Sequence, residues 1–337
     1  MSQALKTRPQ IRPQIRPQAR PKTRTREDKA AARLVWIDGA RFRMGSDVHY
    51  PEEAPSRLVE VDGFWIEDRP VTNRAFARFT QATGWVTSAE IPPDPADYPG
   101  ALPEMLTPAS LVFTPTEGPV SFADAHAWWA YIPGADWRHP LGPGSNLDGL
   151  DDHPVVHVAW RDVTAYAAWA GLDLPTEAEW ELACRSGLDG AEYAWAGASL
   201  TPGGQHMANI WQGRFPWENL ALDGWARTSP VASYPPNRFG LYDMIGNVWE
   251  WTRDWWASAA PARGCCVPKN PLGGAEADSC DARELPARIP RKVLKGGSHL
   301  CAPSYCRRYR PAARHAHPID TSTSHVGFRC VRRRAAR

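Results

Sequence analysis

The sequence predicts a mixed α/β (α+β) domain of low regular secondary-structure content, and three observations predict it. Seventeen Trp and 33 Pro are unusually many, helical spacing is confined to a few short segments, and strand-like alternation comes in short runs. Loops then carry much of the chain, and indoles fill the gaps between them, each ring needing a partner for its N–H.

The first element is a tail. Residues 1–30 hold repeated Arg-Pro-Gln triplets, which bury too little surface to offset ordering, so a disordered basic arm is expected there and one domain over 31–337. Before Glu27 the tail carries eight Lys or Arg and no acid, leaving 31 basic and 37 acidic residues in the rest, so the folded part is mildly acidic. The basic excess sits in low-complexity sequence rather than on a patterned surface with stacking aromatics, which argues against a nucleic-acid partner. No apolar run reaches the roughly 18 to 20 residues of a membrane span, and the tail lacks the apolar centre of a secretory signal. No membrane association and a cytoplasmic location are the expectations.

After the tail, "RLVWIDGARFRMGS" and "RLVEVDGFWIEDRPV" alternate apolar residues and read as strands, leading to Thr72 as N-cap of a helix over Asn73 to Thr83. "SFADAHAWWAYI" and "DVTAYAAWAGL" have helical spacing, and Trp128 and Trp129 suit core or ligand contact alike, with the core as the default expectation. "LPTEAEWELACRSG" is the clearest helix: Thr176 caps it, Glu179 completes a capping box, and Gly187 ends it. From Gly190 onward, short strands alternate with loops. No Gly-rich phosphate loop follows a strand, which argues against a nucleotide-binding fold.

Seven cysteines stand at 184, 265, 266, 280, 301, 306 and 330. Cys265, Cys266 and Cys280, in an insert from about Ala257 to Pro290, suit a zinc site, a disulfide or free thiols. Cys301 and Cys306 are separated by Ala-Pro-Ser-Tyr, a spacing that lets two sulfurs meet as a disulfide or, reduced, as a two-thiolate site for a soft ion such as Cu(I). Arg307, Arg308, Arg310 and Arg314 lower the thiol pKa if they point at the sulfurs, and are otherwise solvated charges.

"LPTEAEWE", "ANIWQG", "GLYDMIGNVWEWTRDWW", "KGGSHLCAPSYCRRYRPAAR" and "DTSTSHVGFRCV" together resemble the formylglycine-generating enzymes, the sulfatase-modifying factors, in order over about residues 33 to 332. The resemblance implies that family's fold, which is similar to C-type lectin-like domains. It further implies copper-dependent oxidation by O2 of the cysteine in a Cys-x-Pro-x-Arg segment of an unfolded sulfatase to Cα-formylglycine. Cys301 and Cys306 match the redox-active pair that binds Cu(I), and Ser298 and Tyr305 match residues lining the active site. On residue chemistry alone Ser298 equally caps a turn and Tyr305 equally packs in the core. Trp249 matches a wall position, and Arg310 and Arg314 match family arginines whose role is structure or substrate.

The same resemblance implies two calcium sites. One takes the side chains of Asn209 and Asp223 with carbonyls of Ile210 and Trp225, the other Asp243 and Glu250 with carbonyls of Gly246 and Val248. Cys184 and Cys330 match a family structural disulfide and are expected to lie adjacent, oxidised or not, since a reducing cytosol opposes the bridge, and Pro311 stands where some relatives carry another paired cysteine. A monomer is expected. The alternative is a non-catalytic lectin-like binding module of the same fold, which has no need for a close thiol pair at its groove. A third class, the iron-dependent sulfoxide synthases, requires a His-x-x-x-His-x-Glu string that this chain lacks.

Overall fold

The computed structural model describes residues 32–258, 266–283 and 288–334. The Arg-Pro-Gln tail and Cys265 lie outside the described residues. Among the described residues eleven short strands and three α-helices are joined by long loops, the mixed and sparse architecture expected.

The alternating N-terminal segments form β1 (Leu34–Ile37), β2 (Ala40–Met44), β3 (Arg57–Val61) and β4 (Phe64–Glu67). β2 and β3 pair antiparallel and turn Phe42, Met44, Val59 and Val61 inward, so period-two alternation became one buried face. α1 spans Asn73–Thr83 with the Ala75 amide donating to Thr72 Oγ1 (3.2 Å), and it ends on Gly84 at φ 68°. β5 (Ala109–Phe113) and β6 (Trp129–Pro133) form a hairpin that pairs Phe113 with Trp129.

That hairpin corrects one expectation. "SFADAHAWWAYI" is not a helix; it makes a single 3-10 turn at Ala125–Ala127 and then enters β6. Pairing with β5 satisfies the backbone of this segment, and Trp128 is buried in a local aromatic cluster, so tertiary partners overrode the helical spacing.

α2 (Trp160–Trp169) and α3 (Glu177–Arg185) follow. In α3 the Glu179 amide donates to Thr176 Oγ1 (3.0 Å) while the Thr176 amide donates to Glu179 Oε2 (2.7 Å), the reciprocal box the sequence encodes. The left-handed residue that closes α3 is Ser186 at φ 45°, one position before the expected Gly187. All nine residues of α3 are buried.

The C-terminal third builds a four-stranded sheet in the order β10-β7-β8-β9, from β7 (Trp249–Trp255), β8 (Arg291–Lys295), β9 (Arg314–Pro318) and β10 (Val326–Gly327). β11 (Val331–Arg333) crosses back to pair with β4 in a sheet ordered β1-β4-β11. The main core gathers Phe64, Phe76, Trp180 and Trp251; a second cluster holds Phe113, Trp128, Trp211, Phe215, Leu300 and Ala302. Several indoles donate to distant partners, Trp180 to Glu250 (2.8 Å) and Trp251 to the Val158 carbonyl (3.0 Å), while the buried ring N–H groups of Trp137 and Trp211 meet no acceptor among the described residues. Among the described residues no helix is long and apolar enough to cross a membrane.

No bond joins Cys184 and Cys330 here, the reduced alternative of the two expected. Both are free, buried thiols of the main core, and Cys184 Sγ donates to the Met244 carbonyl (3.8 Å). Burial pushes both thiols up, which holds them neutral.

Candidate active site

β8 ends at Lys295, and the two glycines that follow turn the chain with positive φ, 96° at Gly296 and 70° at Gly297. A Cβ on Gly297 would stand 2.9 Å from the Arg308 backbone, so glycine is what allows the two ends of the cysteine loop to approach. Within the loop the Cys301 amide donates to the Ser298 carbonyl (2.9 Å) and the Cys306 amide to the Ala302 carbonyl (3.0 Å). These successive turns bring Cys301 Sγ and Cys306 Sγ to 3.3 Å, close but not bonded.

Cys301 is buried, and Cys306 is half-buried on the floor of a cavity of about 270 Å³. The Ser298 amide donates weakly to Cys301 Sγ (3.5 Å). The sulfurs share a hydrogen bond, and that bond with the nearby Arg308 guanidinium holds the Cys306 thiol below its usual range. Burial, with the same bond, pushes Cys301 up. The pair is therefore poised as one thiol and one thiolate.

Of the four arginines after the pair, Arg308 alone meets a sulfur, its Nη1 donating to Cys306 Sγ at 3.8 Å. It is held there by Glu52 (2.6 Å) and by stacking on the Tyr50 ring at 3.8 Å. Arg307 pairs with Glu192, Arg310 is buried against Glu53, and Arg314 is bound by Glu177 and the Ala257 carbonyl. Arg310 and Arg314 are thus structural supports of the loop.

Ser298 and Tyr305 both line the cavity. Ser298 Oγ also accepts from the Leu300 amide (3.2 Å), so it caps the turn and faces the site at once. Tyr305 does not enter the core: its ring stacks on Phe215 at 4.3 Å, 38% exposed, and burial with the two neighbouring sulfurs raises its phenol to about 12. Trp249 lies on the wall as expected.

Trp128 and Trp129, expected in the core, also line the cavity, and three further wall residues carry no assignment from the sequence: His315, His317 and His325. The signal for two of them is the alternation in "RHAHP", which on β9 points His315 and His317 to one face. Loss of solvation lowers His317 to about 4 and holds His315 and His325 down, so these three imidazoles add no charge beside Arg308 at neutral pH.

The calcium candidates differ in what they leave free. Among the described residues Asn209 Oδ1 and Asp223 Oδ2 are buried acceptors without a hydrogen bond, while Asn209 Nδ2 donates to the Arg227 carbonyl (2.8 Å). Two orphaned oxygens are what a hard cation would satisfy. The Ile210 carbonyl accepts from Gln212 (2.8 Å), and the Trp225 amide donates to Asp223 (3.1 Å). At the second set, Asp243 is buried and pushed up to about 6 by burial, and its Oδ2 accepts from the Ala232 amide (2.7 Å). Both Glu250 oxygens are taken by Arg329 (2.7 Å each), which also donates to the Asp243 carbonyl. Gly246 packs so close that a Cβ there would stand 2.4 Å from the Asn209 carbonyl, and Val248 is buried beside it.

Cys266 is exposed and Cys280 donates to the Arg288 carbonyl (3.4 Å). Among the described residues no group of three or more His, Cys, Asp or Glu side chains is placed to hold a metal, so the thiol pair is a two-donor site.

A sheet-poor α+β domain presenting two unbonded thiols in an open cavity defines an enzyme class rather than a lectin-like binder. The chain matches, over residues 18–334, the family described as sulfatase-modifying factor enzyme 1-like domain, and it belongs to that family. It is similar to the formylglycine-generating enzyme of Mycobacterium tuberculosis, 51% identical over 302 residues that cover 88% of this chain and 97% of that one. The mouse formylglycine-generating enzyme is 43% identical, over 90% of this chain and 75% of its own. A mouse protein named inactive Cα-formylglycine-generating enzyme 2 is also 35% identical, over 88% and 85%, so kinship alone does not separate active from inactive members. PvdO of Pseudomonas aeruginosa shares the fold, with TM-score 0.54 and 24% identity over 93% of this chain and 99% of PvdO.

Proposed function

We propose that this protein activates sulfatases by converting a peptidyl cysteine to Cα-formylglycine, using Cu(I) at Cys301 and Cys306 and O2 as electron acceptor. The observation that carries this reading is the thiol pair, 3.3 Å apart and unbonded on the floor of an open cavity. Two soft donors with one side open suit Cu(I), which when bound supplies an oxygen-reactive centre with room for the substrate sulfur. Arg308 favours the thiolate form that a soft metal requires. The aromatic wall of Trp128, Phe215 and Tyr305 excludes water beside the thiols, and the neutral imidazoles of His315, His317 and His325 offer hydrogen-bond partners without adding charge.

The substrate is an unfolded sulfatase segment of the form Cys-x-Pro-x-Arg, because a folded sulfatase would bury the cysteine that must enter the cavity. Ca2+ is assigned to Asn209 and Asp223, on their two orphaned oxygens. The second set keeps Asp243 and the carbonyls of Gly246 and Val248 as its remaining donors. The protein acts as a cytoplasmic monomer in this reading.

The test incubates reduced, copper-loaded protein with a Cys-x-Pro-x-Arg peptide in air and follows the aldehyde by mass spectrometry. Cys301→Ser and Cys306→Ser are each expected to abolish product. Full turnover in either variant would remove the assignment, and full turnover with copper rigorously excluded would remove the metal.

A further inference from the structure

The arginine that reaches the thiols is held from the other end of the chain. Residues Pro51–Glu53 make one 3-10 turn between β2 and β3, and the Glu53 amide closes it by donating to the Tyr50 carbonyl (2.9 Å). Tyr50 and this turn meet all four arginines of the segment that follows Cys306. The Arg307 amide donates to the Tyr50 hydroxyl (3.1 Å), Arg308 lies over the Tyr50 ring (3.8 Å) and binds Glu52, Arg310 pairs with the buried Glu53, and Arg314 donates to the Glu52 carbonyl (3.3 Å).

That grip decides which way the Arg308 guanidinium points. Its Nε and Nη2 are taken by Glu52 Oε1 (3.1 and 2.6 Å) and its flat face rests on Tyr50, so the rigid fork presents Nη1 to Cys306 Sγ. Orientation matters because the surrounding charge is balanced: Arg307 with Glu192, Arg308 with Glu52 and Arg310 with Glu53 form matched pairs. A matched pair favours a thiolate only where its cation stands nearer than its anion. Arg308 lines the thiol cavity, whereas Tyr50 and Glu52 are not among its walls. The Tyr50 ring therefore acts on the thiols through Arg308. A soft monovalent cation between two thiolates leaves net negative charge, and in a cavity walled by aromatic rings that charge needs a cation beside it.

We propose that Tyr50 is a positioning residue of the thiol site: its ring aims Arg308 at Cys306, where the guanidinium serves as counter-charge to a soft cation held as a dithiolate. The assignment rests on the Cu(I) reading given above. A ring face suits the part because it holds a guanidinium without bringing a neutralising charge of its own.

The experiment measures Cu(I) affinity by competition with a coloured chelator, and iodoacetamide alkylation of the reduced copper-free protein, at one fixed pH near neutrality. Tyr50→Leu is expected to weaken Cu(I) binding and to slow alkylation of Cys306 by about three- to tenfold each, the range of a partly desolvated cation–π contact. In protein that already carries Arg308→Gln, the same change is expected to do nothing further, because the group it aims is gone. Tyr50→Phe keeps the ring and is expected to keep the affinity, which separates the ring from the hydroxyl that accepts from the Arg307 amide. Tyr50→Met runs in the same cycle should Tyr50→Leu fail to fold. Equal losses with and without Arg308, no loss in either, or a loss in Tyr50→Phe matching that in Tyr50→Leu overturns the proposal. Wild-type protein that takes up no Cu(I) removes the copper reading instead, and the alkylation cycle still decides: slowing that requires Arg308 supports the aiming role, and slowing that does not, or none, overturns it.

Discussion

Single side chains decide the chemistry here, and direction matters more than proximity in sequence. Four arginines follow the thiol pair within eight residues of Cys306, yet Arg308 alone reaches a sulfur, because Glu52 and the Tyr50 ring hold it there from more than 250 positions away. Arg308→Gln is therefore expected to move the pH midpoint of iodoacetamide alkylation upward in reduced, copper-free protein. The sign follows because a cation favours the thiolate, so its loss raises the pKa; an unchanged midpoint would separate Arg308 from the site. A second test lies in the buried trio of Glu181, Lys295 and Arg185, whose ion pairs measure 2.9 and 2.8 Å. Burial alone pushes the Glu181 carboxyl up, but Lys295, Arg185 and the Gly45 amide outweigh it and hold it down to about 2, from an ordinary 4.5. A depressed acid stabilises the fold above its unfolded pKa, so this contribution is present above about pH 4.5 and is lost as pH falls towards 2. Urea midpoints should show Glu181→Gln destabilised by about 3 kcal/mol at pH 7, the cost of leaving a buried charge unmatched, with the gap from wild type closing in acid.

Elements whose ends are written in local chemistry were legible. α1 spans the residues its cap and spacing indicate, and α3 starts where Thr176 and Glu179 place it. Thr176→Ala is expected to cost about 1 kcal/mol, read as a lower denaturant midpoint with unchanged slope. The "SFADAHAWWAYI" segment was misread as a helix because its apolar positions fit a helical face, whereas its partners were a strand and an aromatic cluster supplied by other parts of the chain. β9 shows the opposite case: "RHAHP" is too short to read as a strand by itself, and pairing with β8 turns its two histidines into a wall of the site.

Across the whole molecule, loops are held by side-chain chemistry where sheets are too short to hold them. The Asn209 and Asp223 cluster ties the loop before β7 to the same region through the close Gly246 to Asn209 approach. Under the calcium assignment proposed for these two residues, binding at a hundredfold excess over Kd would stabilise the fold by about 2.7 kcal/mol, so calcium is expected to raise Tm and a chelator to lower it. Asp223→Asn is expected to remove that response; a variant with an undiminished calcium shift would clear these oxygens of the role. Neither cluster could be found from spacing alone, since Asp243 and Glu250 read as ordinary acids until neighbours distant in sequence surround them. The structure also shows why the two sets are unequal: Arg329 already engages Glu250, while nothing among the described residues satisfies Asn209 Oδ1 or Asp223 Oδ2.

The sequence by itself determined the α+β class, the starts of α1 and α3, and the meeting of Cys301 with Cys306, because each depends on contacts within a few residues. Only the tertiary structure decided which arginine faces the sulfurs and that Trp128, Trp129 and three histidines wall the cavity. Those outcomes are long-range: a side chain's charge and shape are set by its residue type, but the groups it meets are chosen by how distant segments pack together.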